Sequence, residues 1–198
     1  MDDKVFRKFF SDLPVIETER LVLKKIAPEN LYDMYDYACL SETSRYLLWS
    51  PHLNLDETKG HIAFLQKQYR KGLCGEWGVN LKNGVFIGTV GFAQIDRFNN
   101  KAEIGYVLSP KYRKQGLMRE AVNAVFELGF RSLGLNRIEA RILVGNEASE
   151  RLAAAVGMSL EGVIRNSIVV KGEYKSYKLY SILAKEYLEA KGPALWSK

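Results

Sequence analysis

The sequence is poor in the residues that build metal centres and disulfide frameworks. Its 198 residues include 2 cysteines and 2 histidines. Cys39 and Cys74 are far apart and form no C-x-x-C pair, which argues against a thiolate metal site or a structural disulfide, so we expect both to be small buried hydrophobic residues. His52 and His61 have neither metal-ligand spacing nor a recognisable triad signature. The sequence therefore predicts no metal site.

Long apolar runs are also lacking. No stretch approaches the length of a transmembrane helix, and the opening Met1-Asp-Asp-Lys4 has acidic residues where a secretory signal is basic and then apolar. We therefore expect a cytoplasmic protein with no membrane association. The composition, 47% hydrophobic and 26% charged, is typical of a compact enzyme-sized domain with a substantial core.

Two common phosphate-binding motifs are missing as well, since neither G-x-x-x-x-G-K-[ST] nor a G-x-G-x-x-G after a strand occurs. An apolar strand instead ends at Pro110 and is followed by Arg113-Lys-Gln-Gly116 and a helix. The first turn of a helix has unpaired N–H groups, and Gly116 permits close approach of a phosphate. Arg113, Lys114 and Arg119 supply positive charge. The pattern favours a pyrophosphate seat over its alternative, a solvated basic helix cap.

The positive charge of the chain gives a weaker indication. The net charge is +6 and the pI is near 9.2, which favours an anionic ligand or partner. The basic residues are spread along the chain, and no RNP1 string or GXXG helix loop occurs. We therefore predict no direct nucleic-acid recognition, although the charge is compatible with an encounter with an RNA-rich particle.

Strands and helices alternate along the chain without a linker, charge run or internal repeat, which predicts a single domain over 1–198. The predicted fold class is α/β (α+β), with a mixed central sheet of about seven strands flanked by helices. The strands are predicted at 18–26, 76–81, 85–95, 102–108, 137–144, 161–170 and 174–184. The helices are predicted at 28–40, 55–70, 116–134 and 145–157. Because a helix separates the strands at 102–108 and 137–144, these two should be parallel.

This order and several motifs resemble the GNAT superfamily of acyl-CoA-dependent N-acyltransferases, over nearly the whole chain. The motifs are Glu17-Thr-Glu-Arg-Leu-Val-Leu23, Ala102-Glu-Ile-Gly-Tyr-Val-Leu108, Arg113-Lys-Gln-Gly116, Asn146-Glu-Ala-Ser149, Gly157-Met158 and Leu160-Glu-Gly162. They are most similar to the branch of ribosomal-protein (serine/alanine) N-terminal acetyltransferases. The resemblance implies a sheet splayed at the cofactor site and acetyl-CoA as the cofactor.

The resemblance also implies which residues hold the cofactor. Backbone groups of Tyr106, Val107 and Leu108 would bind the pantetheine arm, and Asn146 would hold its lower part. The pyrophosphate would be wrapped by Lys114, Gln115, Gly116, Leu117, Met118 and Arg119, with Arg113 nearby. The chain departs from the family at Met118, where glycine or alanine is usual. The methionine is compatible with a phosphate loop if its side chain turns into the core, and a crowded loop is the alternative.

Acetyl transfer to an amine needs a base for the ammonium proton and a donor for the leaving thiolate. Glu103 is the first choice of base because it lies on the strand that leads to the cofactor loop, and Glu76 and Glu161 are the alternatives. If Glu103 alternates with Ile104 and Tyr106, its carboxylate could instead face solvent or pair with a lysine. The tyrosine usual in the superfamily is absent from the helix after Asn146. The resemblance implies Ser149 as its substitute, and a helix cap is the alternative interpretation.

The predicted function is an acetyl-CoA-dependent N-acetyltransferase that transfers the acetyl group directly within a ternary complex. The predicted acceptor is the N-terminal amine of a protein such as a ribosomal protein. Small amines (a polyamine, an aminoglycoside or an amino acid) and a noncatalytic acyl-CoA sensor are the alternatives. The resemblance places acceptor contacts on the first helix, which carries Tyr32, Tyr35 and Tyr37, and is compatible with a homodimer.

Overall fold

The computed structural model describes residues 3–192. Its strands are β1 Ile16–Glu17, β2 Leu21–Lys24, β3 Gly75–Leu81, β4 Phe86–Asp96, β5 Lys101–Leu108, β6 Arg137–Leu143, β7 Ser159–Val170 and β8 Glu173–Leu183. Its α-helices are α1 Asp3–Ser11, α2 Leu31–Ala38, α3 Ser41–Ser44, α4 Leu55–Arg70, α5 Leu117–Glu127, α6 Glu147–Ala155 and α7 Ala184–Lys191. Short 3₁₀ helices cover Pro28–Asn30 and Pro110–Tyr112, and a π-helix, Leu128–Ser132, extends α5.

The strands form one eight-stranded mixed sheet in the order β1-β2-β3-β4-β5-β6-β8-β7. This confirms the predicted α/β sheet flanked by helices. The additional strand is β1, whose two residues precede the predicted strand 18–26. The Thr18 N–H donates to the Leu21 carbonyl at 3.0 Å and turns the chain between β1 and β2, so that only 21–24 of the predicted range are strand. Among the strands of residues 3–192, only β5 and β6 pair in parallel, as the connecting helix predicted.

The helices differ from the prediction in three places. The predicted helix 28–40 is divided into a 3₁₀ turn and α2, with α3 starting separately at Ser41. Sequence analysis predicted neither α1 nor α7. The predicted strand 174–184 ends at Leu183, where the Glu186 carboxylate accepts the backbone N–H at 2.9 Å and begins α7.

The two faces of the sheet are covered by different helices. On one face, α5 and its π-helical extension pack so closely that a Cβ at Gly129 would lie 2.9 Å from the Phe92 ring. On the other face lie α2 and α4, from which the Tyr69 hydroxyl donates to the Glu76 carbonyl at 2.7 Å. Side chains alternate along each strand, so successive residues of β5 project to opposite faces.

The hydrogen bonding between β5 and β6 covers only a short stretch. Paired positions run from Lys101 opposite Arg137 to Glu103 opposite Glu139. Beyond them β5 continues to pair with β4 as far as Leu108, while β6 continues to pair with β8. A cleft therefore opens between β5 and β6 in the middle of the sheet, as the predicted splay requires.

Two negative findings apply to residues 3–192. No helix among them is long and apolar enough to cross a membrane, and no group of three or more histidine, cysteine, aspartate or glutamate side chains is placed to hold a metal ion. Cys74 is buried, and burial is the main cause that raises the pKa of its thiol to about 11. Cys39 is half-buried, so the expectation of burial is confirmed only for Cys74.

Candidate active site

The loop between β5 and α5 has a conformation typical of a phosphate seat. Lys114 and Gly116 have left-handed backbone conformations, with φ of 63° and 76°, and the chain turns sharply there. Helix α5 begins at Leu117, so the N–H groups of its first turn have no carbonyl partner within the helix. The side chains of Arg113 and Arg119 are exposed on either side of this turn. Backbone donors and cations together fit an anionic pyrophosphate.

The Met118 side chain points away from this seat. It is 6% exposed and belongs to the hydrophobic core beneath α5. Its neighbour Leu117 is also buried, whereas Gln115 is exposed. The departure from glycine or alanine at this position therefore adds volume to the core and leaves the phosphate side of the loop open.

Arg20 and Glu120 connect this loop to β2. The Glu120 carboxylate accepts hydrogen bonds from the Thr18 hydroxyl at 2.6 Å, the Arg20 N–H at 2.8 Å and the Arg20 Nε at 2.7 Å. Arg20 Nη1 also donates to the Gln115 carbonyl at 2.9 Å. Burial raises the pKa of Glu120, but these hydrogen bonds outweigh burial and lower it overall. The motif Glu17–Leu23 contains Arg20, but its sequence alone does not indicate this contact with the loop.

The edge of β5 that faces the cleft carries backbone groups without a strand partner. Ser109 donates its N–H to β4 at 2.8 Å, and the Val107 carbonyl also faces β4, where a Cβ at Gly88 would lie 2.1 Å from it. Because backbone groups alternate in direction along a strand, Tyr106 and Leu108 present theirs to the cleft. An extended amide-bearing arm could add there as a strand does. Of the three predicted backbone contacts, the geometry favours Tyr106 and Leu108 over Val107.

Tyr106 and Ser149 meet across the cleft on the α5 side of the sheet. Asn146 caps α6, because its Oδ1 accepts the Ser149 N–H at 3.3 Å. Helix α6 is therefore capped by Asn146 and not by Ser149. The Ser149 hydroxyl instead donates to the Tyr106 hydroxyl at 2.9 Å. Burial raises the pKa of Tyr106, and the hydrogen bond from Ser149 opposes that rise. The contact of the Tyr106 phenol was missed from the sequence, although alternation along β5 does assign its side chain to this face.

Glu103 lies on the opposite face, where the paired part of β5 and β6 ends. Its carboxylate Oε2 is 3.3 Å from Arg141 Nε, and its side chain is 22% exposed. The ion-pair partner of Glu103 is therefore Arg141. The two alternatives from the sequence, a carboxylate that faces solvent and one that pairs with a lysine, do not describe this arrangement. Burial is the largest influence and raises the pKa of Glu103, Arg141 lowers it and Glu139 raises it. The Glu103 side chain lines a cavity of about 310 Å³, which is also lined by Gln94, Lys101 and Glu139.

The two alternative carboxylates have different surroundings. Glu161 pairs with Arg137 at 2.7 Å and accepts a hydrogen bond from Ser181, and these contacts lower its pKa. Glu76 projects to the same face as Glu103, and burial raises its pKa while a hydrogen bond from Thr89 opposes the rise. The geometry therefore favours Glu103 and Glu76 over Glu161, because an ion-paired carboxylate with a lowered pKa is a poor base.

Comparison with known proteins identifies the family. The model of the acetyltransferase (GNAT) domain matches residues 20–159. The chain belongs to the GNAT acetyltransferase family. An uncharacterized N-acetyltransferase of Bacillus subtilis (strain 168), YoaA, is 31% identical over 173 residues, which cover 86% of this chain and 97% of that protein. The ribosomal-protein-serine acetyltransferase of Escherichia coli (strain K12) is 26% identical over 171 residues, covering 83% of this chain and 93% of that protein.

A solved structure supports the same fold. The ribosomal L7/L12 alpha-N-protein acetyltransferase in complex with coenzyme A has a TM-score of 0.75 to this chain at 22% identity, covering 86% of this chain and 98% of that one. This GNAT member is an N-acetyltransferase, and its cofactor is acetyl-CoA. The left-handed phosphate loop and the unpaired edge of β5 fit the two ends of that cofactor.

A second cavity, of about 600 Å³, is the candidate for the acceptor side, and we call it the acceptor cavity. Three segments form its walls: Arg45 and Tyr46 after α3, Leu143 and Val144 at the end of β6, and the β7–β8 hairpin around Lys171. A Cβ at Gly145 would lie 3.6 Å from the Tyr46 hydroxyl, so this wall adjoins the loop that leads to Asn146 and α6. The cavity therefore lies beside the end of the cleft.

The tyrosines of α2 occupy three different environments. Tyr37 is buried and stacks on Phe86 with ring centroids 6.2 Å apart. Burial is the main cause that raises its pKa. It therefore belongs to the core and is not placed to contact an acceptor. Tyr35 is half-buried and Tyr32 is 72% exposed, so these two remain candidates for acceptor contacts.

Proposed function

We propose that this acetyltransferase acetylates the N-terminal amine of a protein in the cytoplasm, with ribosomal proteins as the first candidates. The observation that carries the proposal is the acceptor cavity, which lies beside the cleft and is lined by residues of three separate segments. Its volume is large enough for the first residues of a peptide. The names of the Escherichia coli relative and of the coenzyme A complex, both ribosomal-protein acetyltransferases, point in the same direction.

The residues of this chain have assignable roles in the transfer. Bound acetyl-CoA supplies the acetyl group as a thioester. Glu103 accepts a proton from the acceptor ammonium, directly or through water in its cavity, so that a neutral amine can attack the acyl carbon. One N–H group on the open edge of β5, that of Tyr106 or that of Leu108, donates to the carbonyl oxygen as it gains negative charge; the two groups are too far apart along the strand to share one oxygen.

Departure of the sulfur requires a proton, which we assign to the Ser149 hydroxyl. As the nitrogen–carbon bond forms, the carbon–sulfur bond breaks and the sulfur keeps the electron pair. The Ser149 hydroxyl turns from its hydrogen bond with Tyr106, gives its proton to the sulfur and then accepts one from the Tyr106 phenol 2.9 Å away. The proton that the acylated nitrogen loses returns through water to Tyr106, which restores both hydroxyls. A phenol is a far stronger acid than an aliphatic hydroxyl, so the pair provides a better proton source than Ser149 alone.

The test is an acceptor screen with acetyl-CoA. The purified protein is incubated with peptides that have a free N-terminus, the same peptides with a blocked N-terminus, polyamines, aminoglycosides and free amino acids. Released thiol and acceptor mass are measured. We expect acetylation of the free-N-terminus peptides and none of the blocked ones, even where these contain lysine. Turnover restricted to small amines would overturn the proposal and assign the enzyme to metabolite or drug acetylation.

A further inference from the structure

The acceptor cavity has an excess of positive charge. Its walls include the cations Arg45, Lys171 and Lys175 and the single carboxylate of Glu173. Lys175 and Glu173 are ion-paired with each other. Within residues 3–192, no carboxylate forms an ion pair with Arg45 or Lys171. Because Lys175 and Glu173 neutralise each other, the charges of Arg45 and Lys171 remain to interact with a ligand in the cavity.

Both of these cations are held at the cavity by contacts with uncharged groups. The Lys171 Nζ donates to the Ser44 carbonyl at 2.8 Å, which ties the β7–β8 hairpin to the end of α3. Lys171 has a left-handed φ of 51° at the tip of the hairpin, and this conformation directs the chain back towards β8. The Arg45 guanidinium lies over the Tyr46 ring, 5.3 Å from its centroid. Neither contact neutralises the charge, and an ammonium retains further donors for a ligand.

We propose that this pair of cations, Arg45 and Lys171, binds an acidic side chain of the acceptor, so that the enzyme prefers N-termini followed closely by Asp or Glu. The inference rests on the proposed function. A carboxylate would receive charge-assisted hydrogen bonds from both cations, which are about twice as strong as bonds between neutral groups. Its aliphatic stem would contact Leu143 and Val170 on the cavity walls. A lysine or arginine at the same place would be repelled, which gives selectivity as well as affinity.

The general positive charge of the protein is the competing explanation for any such preference. A net charge of +6 attracts acidic peptides at long range whichever residues line the cavity. A matched pair of variants separates the two effects. Arg45→Gln removes one charge from the cavity, and Arg70→Gln removes the same charge from the exposed end of α4, which does not line the cavity.

The experiment measures kcat/KM for three peptides that share one N-terminal residue and differ in having glutamate, glutamine or lysine at the next two positions. We expect the glutamate peptide to exceed the glutamine peptide by about tenfold, equivalent to 1.4 kcal/mol, with the lysine peptide lower still. Arg45→Gln should remove most of this preference through KM for the peptide, and Arg45→Lys should retain part of it. Arg70→Gln should leave the preference unchanged, and KM for acetyl-CoA should be the same in all variants.

Two outcomes would overturn this inference while leaving the proposed function intact. The first is equal kcat/KM for the three peptides, which would show that the cavity does not distinguish charge. The second is an equal loss of preference in Arg45→Gln and Arg70→Gln, which would assign it to long-range attraction. Failure to acetylate any peptide, with turnover of small amines, is a different result and would refute the proposed function itself.

Discussion

The cofactor side and the acceptor side of the cleft are built in different ways. On the cofactor side, one continuous segment provides the open edge of β5 and the phosphate loop up to Arg119. A second short segment provides Asn146 and Ser149, which lie together in the first turn of α6. On the acceptor side, Arg45, Leu143 and Lys171 come from segments far apart in the chain. In the proposed complex the cofactor is bound mainly by backbone geometry, whereas the acceptor meets side chains that only the tertiary fold brings together.

This contrast explains why the family could be identified and the acceptor could not. Backbone geometry leaves a local trace in the sequence, because a left-handed turn favours glycine and an anion site favours a helix start with basic residues. Charges that converge from distant segments leave no such trace. Substitutions on the two sides should therefore alter different kinetic constants.

The largest effect is expected at Glu103, the proposed base, which lines the cavity where the pairing of β5 and β6 ends. Glu103→Gln keeps the shape of the side chain but cannot accept a proton, so kcat at neutral pH should fall by about 100-fold or more. Burial raises the pKa of Glu103 above its usual range. In the wild-type enzyme kcat/KM should therefore fall as pH decreases through that raised pKa, because the base becomes protonated. This fall in kcat/KM at acidic pH, the acid limb of the pH profile, should disappear in Glu103→Gln. The Kd for acetyl-CoA should hardly change.

The matched control for Glu103 is Glu139→Gln. Glu139 lines the same cavity and pairs with Arg137 at 2.7 Å, so it tests whether any carboxylate there suffices. We expect it to retain the acid limb and most of kcat. If Glu103→Gln instead kept both the rate and the limb, the base would lie elsewhere, and Glu76 would become the leading candidate.

The sheet and the cofactor loop were predictable because each depends on short-range patterns. Alternating apolar residues predicted the strands, and the residues around Gly116 predicted the strand-loop-helix order, with its turn at Gly116, that the structure contains. Boundaries were predicted less well. A three-residue 3₁₀ turn before Leu31 and a side-chain cap by Glu186 decide where α2 and α7 begin, and hydrophobic periodicity carries no information on either.

The missed parts of the site are contacts between residues far apart in sequence. The Tyr106–Ser149 hydrogen bond joins residues 43 positions apart, and Arg20 and Glu120 are 100 positions apart. Tyr37 illustrates a choice that the sequence left open. It is one of the three tyrosines of the predicted helix 28–40, of which one was expected to reach the acceptor, and stacking on Phe86 buries it. No single-sequence pattern distinguishes an aromatic residue of the core from one that lines a pocket.

The second prediction concerns Tyr106 and Ser149, on the cofactor side. Ser149→Ala removes the proton donor and should lower kcat by about 100-fold, and Tyr106→Phe should lower it by about tenfold. Because the two hydroxyls act as one unit, the double variant should be little worse than Ser149→Ala alone. KM for the acceptor peptide should be unchanged in all three. Additive losses in the double variant would show that the hydroxyls act independently.

The smallest effect is expected for Arg20→Gln, which removes the support of the phosphate loop without touching the reacting groups. Arg20 donates to both Glu120 and the Gln115 carbonyl, so its loss should loosen the loop and raise KM for acetyl-CoA about threefold to fivefold, roughly 0.7–1 kcal/mol at about 1.4 kcal/mol per factor of ten. The Arg20 side chain is 45% exposed, and solvent screening limits the cost in stability to about 1 kcal/mol. KM for the peptide should not change.

The pH dependence of stability supplies a second measurement for the same variant. The folded-state pKa of Glu120 is lowered, so the wild-type stabilisation is present above the ordinary glutamate pKa and is lost as pH falls through the lowered value. The difference in free energy of unfolding between wild type and Arg20→Gln should therefore shrink on acidification. Arg151→Gln, which breaks an exposed ion pair with Glu147 on α6, is the control and should change neither KM nor stability measurably. An equal rise in KM for peptide and acetyl-CoA would show that Arg20 supports both sides of the cleft.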